Sequence, residues 1–308
     1  MSDSGNDAVE SRTSDPLLKS SLVVSVMTML SRVLGLARDI VIAYFFGSSA
    51  AADTFFLAFR IPNFFRRLFA EGAFSQAFIP VLSEYKQGGD RSALRSLLDH
   101  TAGTLGLALL IFTGLGMLCA AGVITVFAAG YVYQEETEKI YLATQMLRIT
   151  FPYLLLISLT AFAGAILNTF GRFAVPAFTP VLLNLSLIGS AIWLRPYFDF
   201  PVLALAWGVL IAGFVQLAFQ LPFLARLGLL PRLKVDFKHT GVRRILRLMV
   251  PAMFGVSVGQ INLLLDTVLA TFLITGSLSW LYYSDRLLEL PLALFGITIA
   301  TVILPALS

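Results

Sequence analysis

Eight charged side chains lie within apolar sequence between residues 31 and 71, and they are the groups best placed to do chemistry. The run Ser31 to Asp39 contributes Arg32, Arg38 and Asp39; Asp53 and Arg60 follow, and the run Pro62 to Gln76 adds Arg66, Arg67 and Glu71. A charge at the centre of a bilayer costs about 2.5–3.5 kcal/mol on insertion scales, so charges kept there carry a function by default. The planar guanidinium fork suits bidentate binding of phosphate or carboxylate. Five arginines against three acids therefore predict a polar cavity of net positive charge that binds an anion. The blander reading is a set of internal pairs locking two helices together. Arg38–Asp39 and Arg67–Glu71 are close in any helix, but three acids cannot neutralise five arginines. Arg66 and Arg67 have a third option, snorkelling to a membrane face.

The surroundings of these residues define the class. The chain is 57% apolar and 13% charged, with a mean hydropathy of +0.84. A soluble domain carries about 25% charge, so this is an all-α polytopic membrane protein. Residues 1–20 read as a disordered tail without the pattern of a cleavable signal peptide. Spans of about 20 apolar residues predict helices near 22–45, 53–80, 101–127, 143–168, 175–194, 201–224, 248–274 and 281–308. These divide into an N-terminal six-helix unit (21–224), a basic amphipathic linker (225–247) and two further helices (248–308). Segments 81–98 and 229–247 have the composition of amphipathic surface helices. Lys and Arg gather in the tail and the even-to-odd loops, which the positive-inside rule places in the cytoplasm.

Spacing then groups the charges. Asp53, Arg60, Arg67 and Glu71 stand seven, seven and four apart, one stripe of helix 2, with a kink expected at Pro62. Arg32 and Asp39 share a face of helix 1, and Gly35 between them permits a bend that would bring Arg38 round. Helix 8 repeats helix 2 at an offset of 225 to 227 residues: Phe55-Phe56 and Arg60 match Tyr282-Tyr283 and Arg286. The repeat predicts parallel halves, with Asp285, Arg286 and Glu289 contributing from the second. On that plan about another 150 residues would follow, so the chain reads as a fragment. Asp266, alone in helix 7, is either protonated or a ligand of a coupling cation such as sodium.

Other signals are bland. Gly103, Gly106, Gly114 and Gly116 suit close helix packing. Cys119 is the one cysteine, and His100 and His239 have no metal-ligand companions in sequence. Nucleotide-loop and hydrolase motifs are absent, which disfavours an ATP-driven pump or an enzyme. Nothing in the sequence points to nucleic acid.

The runs SRVLGLARD (31–39), PNFFRRLFAEGAFSQAFIPVLSEY (62–85), ITFPYLLLISL (149–159), AILNTFGRFAVPAFTPVLLNL (165–185) and WLYYSDRLLELP (280–291) resemble the MurJ/MviN family of lipid II flippases. These belong to the multidrug/oligosaccharidyl-lipid/polysaccharide (MOP) exporter superfamily. The resemblance implies two six-helix lobes around a central cavity, plus two extra helices forming a lipid-tail groove, of which this chain holds the first lobe and the start of the second. It implies that Arg32, Arg38, Arg66 and Arg286 are the essential cavity arginines and that Asp39 and Asp53 are important acids, with Arg60, Glu71 and Asp285 also matching. Asp266 falls where some members carry a sodium ligand and others an amide. The implied substrate is lipid II, the undecaprenyl-diphosphate-linked peptidoglycan precursor, flipped across the bacterial inner membrane without a cofactor and driven by membrane potential or a cation gradient. Membrane lipids and cell-wall synthesis proteins are the implied neighbours. Alternatives are an exporter of another lipid-linked oligosaccharide or a non-transporting scaffold for cell-wall enzymes.

Overall fold

The computed structural model describes residues 6–288, with side chains from residue 22 onward except those of residues 70 and 71. Every regular element among them is helical. The first span is α1 (Asn6–Phe46); the second is a rod of α2 (Ala50–Phe65), a π-helical segment (Arg66–Phe74) and α3 (Ser75–Gln87). The third is α4 (Arg91–Leu118) continued by α5 (Ala120–Phe127) and α6 (Ala129–Tyr133). The fourth joins α7 (Thr137–Thr150) to α8 (Pro152–Thr169). Then come α9 (Ala174–Gly189) with a short π and 3₁₀ extension to Tyr197, α10 (Leu203–Arg226), α11 (Thr240–Ala270) and α12, residues 277–288. Five of these spans are long and apolar enough to cross a membrane by length and composition.

Apolar packing forms two layers. One contains Phe55, Phe59, Met146, Phe151 and Tyr153. The other, toward the basic end of the bundle, contains Phe74, Phe78, Leu82, Leu97, Phe162 and Leu167. Polar ties close the connections at that end. Lys86 Nζ donates to the Thr169 carbonyl at 2.6 Å, Arg95 to the Gly228 carbonyl at 2.7 Å, and Arg244 forks onto Glu84.

Three local expectations differ from the structure. The polar N-terminus is helical from Asn6. Once a span is nucleated, each further residue adds a hydrogen bond without a new nucleation cost. Residues 81–98 are two helix ends joined by a turn at Gly88-Gly89, with Val81, Leu82, Leu94, Leu97 and Leu98 buried in the second layer. Their apolar face meets neighbouring helices instead of a lipid surface. Residues 229–239 form no helix, because the linker lies on α4. The Lys234 amide donates to the Asp99 carbonyl at 3.2 Å and the Arg232 amide to Asp99 Oδ1 at 2.8 Å. Gly103 permits this seating, since a Cβ there would come within 2.2 Å of the Lys234 backbone.

The kink expected at Pro62 takes the form of nine π-helical residues beginning four positions later. Proline removes a backbone donor, and a π segment is a recurrent cause of helix bending at functional sites.

Helix 8 meets helix 2 as the repeat predicts. Asp53 contacts Ser279, Phe56 stacks on Tyr282, and Arg60 pairs with Asp285. Contacts in the same order along both helices mean that the two run parallel. The matching ends of the repeat, residues 303–308, lie outside the described residues, as does Glu289.

Candidate functional site

The charged residues divide between two cavities. The larger, about 1160 Å³, lies between α1, α9 and α12, and Arg32, Arg38, Asp39, Asn184 and Arg286 line it. The smaller, about 240 Å³, lies between α2, α11 and α12, with Arg60, Arg67, Asp285 and again Arg286 on its wall. A single cavity formed by helices 1 and 2 was the sequence expectation. It is divided because α12 enters beside α2, so that Tyr282 packs on Phe56.

Arg38 is at the centre of the larger site. It is 5% exposed and uses its whole fork. Nε and Nη2 donate to Asp39 Oδ1 at 2.9 and 2.6 Å, Nη1 to Asn184 Oδ1 at 3.0 Å, and Nη2 also to the Tyr282 hydroxyl at 2.8 Å. The Tyr282 hydroxyl donates in turn to Asp39 Oδ1 at 3.0 Å. Asn184 is fixed from the other side, donating to the Ser31 carbonyl at 2.9 Å. A Cβ at Gly35 would stand 3.7 Å from Asn184 Nδ2, an ordinary van der Waals contact, so the approach of α9 does not depend on this glycine. Arg38 is thus ordered by three helices.

Asp39 also faces Arg286 Nε at 3.9 Å, and the Arg286 guanidinium lies 5.4 Å from the Tyr282 ring centre. Arg32 lines the same cavity, half-buried, with no hydrogen bond or ion pair among the described residues. Among the described residues, three arginines and one carboxylate line this cavity. Arg38 and Asp39 tie α1 to α9 and α12, and Arg32 and Arg286 line the same cavity.

The other predicted residues occupy different settings. Arg60 donates to Thr267 Oγ1 at 2.9 Å and to Asp285 Oδ2 at 2.8 Å. Arg66 donates to Asn63 Oδ1 at 3.1 Å and lines neither cavity. Asp53 is far from the role of a cavity acid. It is 1% exposed and caps α12, with Oδ2 accepting from the Gly276 amide at 2.6 Å and Oδ1 from the amide (2.8 Å) and hydroxyl of Ser279. Gly276 has φ of +100°, a conformation that glycine supplies at little cost. The side chain of Glu71 lies outside the described residues. Asp266 is exposed, without a hydrogen bond or ion pair among the described residues, and no acidic, His or Cys cluster among them could hold a metal.

Sequence reasoning missed Asn184 and Tyr282 as site residues. The signal for Asn184 was present, since an amide between Leu183 and Leu185 in a span invites the question already asked of the arginines. Tyr282 was visible in the repeat, but its contact with Arg38 depends on how the helices cross.

Residues 42–308 match the family model described as lipid II flippase MurJ. A probable lipid II flippase MurJ from Vibrio cholerae is 55% identical over 304 residues, covering 97% of this chain and 58% of that protein. The lipid II flippase MurJ of Burkholderia cenocepacia is 44% identical over 296 residues, covering 95% and 57%. A solved structure of a lipid II flippase MurJ in an inward closed conformation superposes with a TM-score of 0.70 at 28% identity, covering 92% of this chain and 58% of that one. The chain thus spans a little under three-fifths of the length of these relatives. With its helical fold, it belongs to the MurJ lipid II flippase family.

Proposed function

We propose that the protein moves lipid II across the bacterial cytoplasmic membrane, where family and helical spans place it as a multi-pass protein. The observation that carries this reading is the large cavity that Arg32, Arg38 and Arg286 line together, with Asp39 the acid among its described lining residues. A lipid-linked diphosphate brings two adjacent anionic groups and a long hydrocarbon tail. The arginines take the diphosphate as charge-assisted hydrogen bonds, the cavity takes the sugar–peptide headgroup, and the tail stays in lipid. Arg38 is held in place by Asp39 and Asn184 and orients the site; Arg32 and Arg286, on the wall of the same cavity, contact the ligand. The half of the protein that begins with α11 and α12 supplies the opposing wall, and rocking of the halves exposes the headgroup to the other side. The membrane potential, acting on the charge in the cavity, gives direction.

The test uses the full-length protein in a strain depleted of its own flippase. Arg32→Ala should abolish growth rescue while the protein accumulates in the membrane at wild-type level. Purified protein in vesicles should translocate lipid II, and the variant should not. Full rescue by Arg32→Ala together with Arg286→Ala would overturn the proposal. Translocation of a different lipid-linked oligosaccharide in preference to lipid II would redirect it.

A further inference from the structure

A further cavity, of about 400 Å³, opens at the basic end of the bundle, between α1, the turn joining α8 to α9, and the end of α10. Val23, Phe173, Val175 and Phe223 give it an apolar lining. Arg172 and Arg226 supply its charge, with no acid among its described lining residues. Both arginines are exposed, and neither guanidinium makes a hydrogen bond or ion pair among the described residues; that of Arg226 lies over the Phe223 ring, 5.6 Å from its centre. Several other basic side chains at this end are tied to the protein: Lys86 to the Thr169 carbonyl, Arg95 to the Gly228 carbonyl and Lys234 to Asp99. Arg172 and Arg226 instead share a cavity.

This cavity adjoins the large one. Phe173, 37% exposed, lines both, and α1 passes from one to the other between Val23 and Val24. Arg32 follows Val23 by nine residues along α1, a rise of about 13 Å or roughly two and a half turns. The two sets of arginines therefore stand in series. Arg172 and Arg226 are at the rim, Arg32 is deeper and half-buried, and Arg38 lies beyond it, buried. The positive-inside rule places the rim on the cytoplasmic side.

We infer that Arg172 and Arg226 form an outer receiving site for a lipid-linked diphosphate, from which it passes Phe173 to the inner arginines. The inference rests on the transport reading above and names the way in. Two guanidiniums offer charge-assisted hydrogen bonds to two adjacent phosphate groups, whereas a phosphodiester headgroup brings one. The apolar lining suits the first isoprene units beside the diphosphate. Exposed charges of one sign at a cleft raise the rate of capture by about 10–10³-fold, and salt weakens the effect. Taking the diphosphate straight from water to the buried Arg38 would remove its hydration in one step, which is costly. At the rim it exchanges part of that hydration for two arginines and meets the inner site already oriented.

The test reconstitutes the full-length protein in phosphatidylcholine vesicles with lipid II and measures the initial rate of translocation. Arg172→Gln combined with Arg226→Gln should lower the rate about tenfold at low salt and sub-saturating lipid. The deficit should shrink as lipid saturates or as salt rises, and Arg172→Lys with Arg226→Lys should keep most of the rate. A second measurement does not depend on transport: binding of undecaprenyl diphosphate, in phosphatidylcholine nanodiscs, to protein carrying Arg32→Gln and Arg286→Gln. Saturable binding is expected there, and adding Arg172→Gln and Arg226→Gln should abolish it. Such binding together with a wild-type protein that moves no lipid II would refute the transport reading and keep the site. A glutamine pair with the wild-type rate at every lipid and salt level, or no binding to the Arg32→Gln, Arg286→Gln protein, would overturn the inference. Displacement of undecaprenyl diphosphate by excess phosphatidylglycerol would also overturn it, in favour of a site for bulk phospholipid.

Discussion

The rings of Phe56 and Tyr282 stack face to face, with centroids 4.1 Å apart and planes inclined by 20°. They belong to the matched aromatic pairs Phe55-Phe56 and Tyr282-Tyr283, so the two copies of the repeat meet through the same part of each helix. Neighbouring contacts follow: Asp53 with Ser279, and Arg60 with Asp285. The stack also sets the function of Tyr282, because a ring fixed on Phe56 delivers its hydroxyl to Arg38 and Asp39.

Arg38→Lys tests the fork. Lysine keeps the charge but cannot reach Asp39, Asn184 and Tyr282 together. The variant should accumulate normally in the membrane, by immunoblot, and fail to rescue a flippase-depleted strain. Arg38→Ala leaves Asp39 short of its main partner and should lower stability by about 3 kcal/mol or more, read as loss of both protein and growth.

Asn184→Leu removes the partner of Arg38 Nη1 and of the Ser31 carbonyl. An orphaned buried polar group costs about 1–3 kcal/mol. A lower melting temperature in detergent is expected, with Asn184→Gln intermediate; an unchanged melting curve for the leucine variant would count against the network.

Asp53→Ala strips the cap from α12, a loss of about 0.5–2 kcal/mol for a capping group. Asp53→Asn retains an acceptor and should cost less. The order wild type, asparagine, alanine should appear in thermal unfolding, and the alanine variant should also expose residues 271–280 to cysteine-directed labelling.

The linker should respond to acid. His239 stacks on His100, ring centres 4.7 Å apart. Burial first, and then the His100 charge, push the His239 imidazole below its ordinary value, with Asp236 opposing. A group depressed in the docked state is protonated first in the undocked one. Docking is therefore fully favourable above the ordinary histidine range near pH 6.5 and weakens as pH falls below it. Proteolysis of residues 229–238 should accelerate between pH 7.5 and 5.5, and His239→Gln should flatten that dependence.

Much of this was legible in the sequence, and the limits have physical causes. Helical spans and the α2–α12 repeat follow from hydrophobic length and spacing, both local. The excess of arginines over acids between residues 31 and 71 is likewise read by counting. Which charge faces which depends on helix crossings that local spacing does not encode. The stripe of Asp53, Arg60 and Arg67 thus separated: Asp53 caps a distant helix, whereas Arg60 and Arg67 line the smaller cavity. The surface-helix expectation for 81–98 failed because an apolar face reads alike whether it meets lipid or another helix.

Asp53 has a consequence for biogenesis. Its carboxylate is sealed in the second helix to be made, while the donors that satisfy it lie 223 and 226 residues further along the chain. A buried anion without donors is costly. The first six helices therefore leave the ribosome as an unfinished half, and they settle only when the turn before α12 arrives to complete them.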